Sequence, residues 1–173
     1  MMLSSFARVG RDLPAFLLML GVFVLPGGAR AQTTTPQEWI EIGTRAHGGF
    51  GALIPIGIRI GLDALQRLKA SPRGVIVRYR SGETAPCPCV ADGIMVATQA
   101  SPGQGTLKVL DEKAGHGLLL DVEIEDRKTG ATLRYRVASR WLPQIVTWNK
   151  TLDPLGRYQA VMAADALFEV SGP

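Results

Sequence analysis

Between residues 53 and 69 the apolar side chains Ile54, Ile58, Leu62, Leu65 and Leu68 recur every three to four positions. That spacing marks one continuous face of a helix, and a helix this apolar has to sit in a core. Pro55 is compatible with its first turn, whose amides have no intrahelical partner, and Ser71-Pro72-Arg73-Gly74 ends it. Upstream, His47 is followed by Gly48-Gly49 and Gly51, a run that lets backbone bend and approach a neighbour closely. Before that, Thr33-Thr34-Thr35-Pro36-Gln37-Glu38 has the form of a helix start, with a threonine cap, a first-turn proline and an acid soon after. Trp39, Ile40, Ile42 and Gly43 then carry a short helix to His47.

Strand patterns follow. Val75 to Arg80 is rich in β-branched residues, and Thr106–Leu110, Gly117–Glu125 and Ala131–Ala138 read as three more strands. Arg127-Lys128-Thr129-Gly130 supplies a hairpin turn between the last two. Ala91 to Thr98 returns to helical spacing, and Pro154 to Leu167 does so more weakly before a short apolar tail. Helix, helix, strand, helix and then antiparallel strands predict an α+β domain, with helices packed on one face of a mainly antiparallel mixed sheet.

The N-terminus has a different character. Arg8 and Arg11 precede the apolar run Phe16–Leu25, Pro26-Gly27-Gly28 breaks it, and Ala29-Arg30-Ala31 offers a small-x-small cleavage site. Residues 1–31 are therefore expected to be a secretory signal peptide and residues 32–173 the mature domain, periplasmic or secreted. The run is shorter than the roughly 20 residues a membrane span needs, and no further span is expected once the signal is cleaved. The chain's formal net charge is +4; Arg8, Arg11 and Arg30 against Asp12 lie in the signal, so the mature part is close to neutral. No basic run carries interleaved aromatics, which speaks against nucleic-acid binding.

Export changes the meaning of the two cysteines, Cys87 and Cys89, since oxidising compartments favour disulfides. A bridge across the single residue Pro88 closes a tiny loop and staples almost nothing. Three readings stay open: a dithiol facing a metal or ligand, a labile disulfide, or two inert thiols. Cys89 and Asp92 fall at the start of the 91–98 helix, where amide donors and the helix dipole favour thiolate, the form that binds metals. His47, Cys87, Cys89 and Asp92 are the candidate metal ligands, and His47, Cys89 and Asp92 are expected to share one corner of the domain. His116, in a turn before a strand, is expected to face solvent. Trp141 and Trp148 are expected to pack rather than stack on a cofactor. Arg59 is expected to meet either a carboxylate or an anionic ligand. No nucleophile–base–acid set, phosphate loop, dinucleotide fingerprint or His-Glu-x-x-His is present, so a non-catalytic role is expected and catalysis is left open.

The spacing of these segments resembles the E-subunit family of formylmethanofuran dehydrogenase, the FmdE-like domains. His47 stands where the family's first histidine stands, and Gly57-Ile58-Arg59 falls on its G-Y-R in register. Cys89, Asp92, Ile94, Thr98, Gly103, Gly105 and Leu107 match its second motif without a gap, and Ala166-Leu167-Phe168-Glu169-Val170 resembles its closing segment. Gly49 replaces the family's second histidine, while Gly51 and Ala100 replace cysteines. Gln104 stands where a lysine is usual, and the cysteine-rich zinc ribbon of many members has no counterpart up to Pro173.

This resemblance implies the same α+β fold and a transition metal or metal-bearing cofactor near His47 and Cys89. Zinc is the default, with copper or haem iron open to so soft a dithiol. It also implies a role in carriage, sensing or support of a redox enzyme or metal transporter. The alternatives are an accessory subunit of a molybdenum or tungsten oxidoreductase, or a degenerate member acting as an interaction domain.

Overall fold

The computed structural model describes residues 34–172, so the segment expected to be a signal peptide lies outside the described residues. The chain enters through α1 (Pro36–His47) and the long α2 (Leu53–Leu68), then β1 (Val75–Ser81) and α3 (Cys89–Thr98). A 3-10 turn over Pro102–Gln104 leads to β2 (Leu107–Val109), and the hairpin β3 (Leu118–Asp126) and β4 (Thr132–Ala138) follows. The chain closes through α4 (Leu142–Thr151), α5 (Pro154–Ala163) and β5 (Glu169–Ser171). The expected start of α1 is realised as a capping box: Thr35 Oγ1 accepts from the Glu38 amide, and the Glu38 carboxylate accepts from the Thr35 amide.

The five strands lie in the order β2-β1-β3-β4-β5. Only β1 and β2 are parallel, joined by α3 as the crossover; the remaining pairs are antiparallel. Period-two alternation gives the sheet two unlike faces. Val75, Val77 and Tyr79, Val122 and Ile124, and Leu133, Tyr135 and Val137 are buried towards the helices. The intervening residues form a lattice of charges on the other face. Arg78 donates to Glu125 at 2.9 Å, Arg80 to Glu123 at 3.2 Å, and Arg134 reaches Asp121 through Nε at 2.8 Å. The α+β architecture expected from the sequence is the one observed.

The helices are stacked two deep on the sheet, because α2 is apolar on two sides. Leu53, Ile56, Ile60 and Ala64 join the sheet core, while Ile54 and Ile58 face the other way into a cluster with Trp39, Ile40, Phe50 and Ala97. Two glycines let α2 and α3 cross in near backbone contact. A Cβ added at Gly57 would lie 2.1 Å from the Val90 carbonyl oxygen, and one at Gly93 would lie 2.1 Å from that of Ile54. Among the described residues Arg59 makes no ion pair with a carboxylate. Its Nη1 donates to the carbonyls of Val161 and Ala164, both at 2.7 Å, and its guanidinium lies 5.2 Å from the Phe168 ring centroid. It thereby adds a charged donor to two carbonyls at the end of α5, of which that of Val161 also accepts from the Ala164 amide at 3.4 Å.

Helix α4 had no counterpart in the sequence pattern. Ile145 alone is buried along it, so the periodic signal is faint. Trp148 on α4 and Trp141 just before it pack against the main core, with ring centroids 6.2 Å apart. No helix of the described residues is long and apolar enough to cross a membrane.

Candidate functional site

Helix α1 stops at His47 because Gly48 adopts the left-handed conformation (φ 87°) and donates its amide to the Thr44 carbonyl at 2.8 Å. A φ this positive favours glycine at the C-cap. The following bend is pinned from outside. Phe50 is buried in the outer apolar cluster, Asn149 Oδ1 accepts from the Ala52 amide at 2.7 Å, and Arg157 Nη1 donates to the Phe50 carbonyl at 3.1 Å. Asn149 on α4 and Arg157 on α5 were not legible from the sequence as site residues. Neither belongs to a motif, and each acts only through the fold that brings it to residues 50–52.

Helix α3 faces this end of α1. It begins at Cys89, and Asp92 in its first turn complements the positive end of the helix dipole. Being three residues apart, Cys89 and Asp92 are neighbours on one helix face. Their helix meets α1 in a contact 45 residues apart in sequence: His47 Nδ1 and Asp92 Oδ2 are 2.7 Å apart. Both side chains stay accessible, at 31% and 36% exposure. The carboxylate can only accept, so the proton sits on Nδ1. In the neutral imidazole this leaves Nε2 as the nitrogen with a free lone pair, which is the tautomer a carboxylate imposes on a metal-binding or proton-accepting histidine.

The structure joins Cys87 to Cys89 in a disulfide with a Cα separation of 5.3 Å, inside the usual range for bridges. Of the four residues expected as ligands, His47 and Asp92 are thus in direct contact, and the two sulfurs are bonded to each other. Among the described residues no group of three or more His, Cys, Asp or Glu side chains is placed to hold one metal ion. The donor chemistry agrees: with the bridge closed, neither sulfur is a thiolate, the form that coordinates metals. With it open, Cys89 would add a soft donor one turn before Asp92. His116 lies elsewhere, exposed beside a cleft of about 150 Å³ with Glu83 and Ser139.

A family profile described as "FmdE, Molybdenum formylmethanofuran dehydrogenase operon" matches residues 46–167, from the residue before His47 to Leu167. No curated protein matches the sequence.

Proposed function

From a chain that belongs to the FmdE family, we propose an exported, non-catalytic accessory domain that serves a molybdenum- or tungsten-dependent redox enzyme. Its working site is the corner where α1 meets α3, and that corner binds a transition metal, zinc by default, once Cys87 and Cys89 are thiols. The observation that carries this reading is the 2.7 Å contact between His47 Nδ1 and Asp92 Oδ2. It leaves Nε2 free as the donor nitrogen and gives Asp92 the task of orienting the ring rather than binding the ion itself. Cys89 supplies the sulfur from the same face of α3 as Asp92, and Cys87 a second one on the opened bridge. A bound ion would supply charge and a coordination position for the partner's ligand; the chain's own residues set the ring orientation and hold the loop after His47 in place.

The experiment is elemental analysis of protein reduced with a phosphine, loaded with zinc and desalted. Wild type should retain about one ion per chain, and His47→Ala combined with Cys89→Ser should retain none. Retention by the double variant would remove the assignment. The disulfide favours a second reading, in which the bridge stays closed and the domain acts as an interaction module alone. Under that reading reduction changes nothing in metal content.

A further inference from the structure

At the opposite end of α2 from His47, some 24 Å away at about 1.5 Å per helical residue, lies a groove of about 470 Å³ that the site above does not use. Lys69, Ser71, Arg127 and Lys128 line it together with Asp126. Its walls are two turns, the one that ends α2 and the β3–β4 hairpin turn, and they are tied together. The Arg127 amide donates to the Gly74 carbonyl at 2.9 Å, and Arg127 Nη1 donates to the Arg73 carbonyl at 3.2 Å. The groove is therefore preformed, and its volume falls in the range of small-ligand sites.

The charges in it are uneven. Among the described residues, the lining cations Lys69, Arg127 and Lys128 make no ion pair. The one carboxylate, Asp126, is turned into its own hairpin, accepting from the Lys128 amide at 2.9 Å and from Thr129 Oγ1 at 2.8 Å. Lys69 caps α2 in the left-handed conformation, φ 52°, where glycine or asparagine is the easier residue.

From this convergence we infer that the groove binds a small, multiply charged oxyanion, carrying phosphoryl or carboxylate groups, clamped between Lys69, Arg127 and Lys128. The groove is open to solvent, and its confinement to two short turns and lack of aromatic lining fit a compact ligand rather than a nucleic-acid strand. Titration of the full mature chain with pyrophosphate and with citrate at low salt, followed by calorimetry, tests this.

Saturable one-site binding is expected. Lys69→Gly and Lys128→Ala should each weaken it roughly tenfold, in line with loss of one charge-assisted hydrogen bond. Lys69→Gly should meanwhile raise the melting temperature, because glycine suits φ 52°. Lys108→Ala, which removes one charge on strand β2, should leave the affinity unchanged. Preference for pyrophosphate assigns phosphoryl groups, and preference for citrate assigns carboxylates. Absence of saturable binding to wild type, binding only of long polyanions, or equal weakening by Lys108→Ala would each overturn the inference.

Discussion

Gly57→Ala should break the domain where its two central helices touch. The added Cβ would stand 2.1 Å from the Val90 carbonyl oxygen, 2.7 Å from the Ile94 nitrogen and 2.8 Å from the Gly93 Cα, all backbone atoms that no rotamer change can remove. Ordinary contact begins near 3.4 Å, so α2 and α3 would have to part by about 1.3 Å. They have little room, since the sheet core packs on one side of α2 and the Trp39–Phe50 cluster on the other. A gap of about 1 Å already forfeits roughly half of the dispersion energy of a contact, and this parting is larger. Overpacked cores lose roughly 1–3 kcal/mol, and here the obstacle is backbone, which places the cost at the upper end or beyond. Alanine's better helix propensity returns about 1 kcal/mol.

The net expectation is a loss of at least about 2 kcal/mol, or roughly 6–8 °C in melting temperature for a domain of this size. Urea unfolding followed by tryptophan fluorescence reads it. Gly49→Ala, whose Cβ would meet nothing within 4 Å, is the control and should shift stability by less than about 0.5 kcal/mol. Should Gly57→Ala unfold within that same margin of wild type, the close crossing of α2 and α3 is wrong.

Arg59→Ala should cost about 2–3 kcal/mol in the same assay, because two carbonyls at the end of α5 lose a charged donor and Phe168 loses its cation; an unchanged midpoint would contradict the capping role. All three tyrosines, Tyr79, Tyr135 and Tyr158, titrate above the ordinary phenol value, chiefly through burial. Tyr135 is shifted furthest, since it also donates to Asp63 Oδ2 at 2.7 Å. A folded-state value raised above the unfolded one gives stability that is whole below about pH 10 and is lost as pH rises above it. Absorbance of tyrosinate near 295 nm should therefore rise in steps, with the Tyr135 phenol ionising only together with unfolding, and titration of all three phenols near pH 10 in the folded protein would refute it.

Much of the fold was readable because its signals are local. The period of α2, the β-branched run of β1 and the turn residues Arg127–Gly130 each fix an element without help from distant contacts. What was missed depends on tertiary placement. Helix α4 buries only Ile145, so its sequence carries no face. Arg59 looked like an ion-pair or ligand residue because a charge on an apolar helix usually needs a counter-charge; that α5 ends beside it is knowable only from the fold. At the candidate site, helix ends were enough to bring His47 and Asp92 together. The state of the sulfurs was a different matter, because a bridge across one proline gains little loop entropy and neither spacing nor composition decides between thiol and disulfide. Asn149 and Arg157, which pin the bend after His47, carry no pattern at all.

On the proposed function the α1–α3 corner binds a metal only when its bridge is open, and one paired measurement addresses this. Free thiols and tightly bound zinc are counted on the same protein before and after reduction. The oxidised protein should show no free thiol and no retained zinc, and the reduced protein two thiols per chain and about one zinc after loading. Equal zinc in both states, or none in the reduced protein, would contradict it.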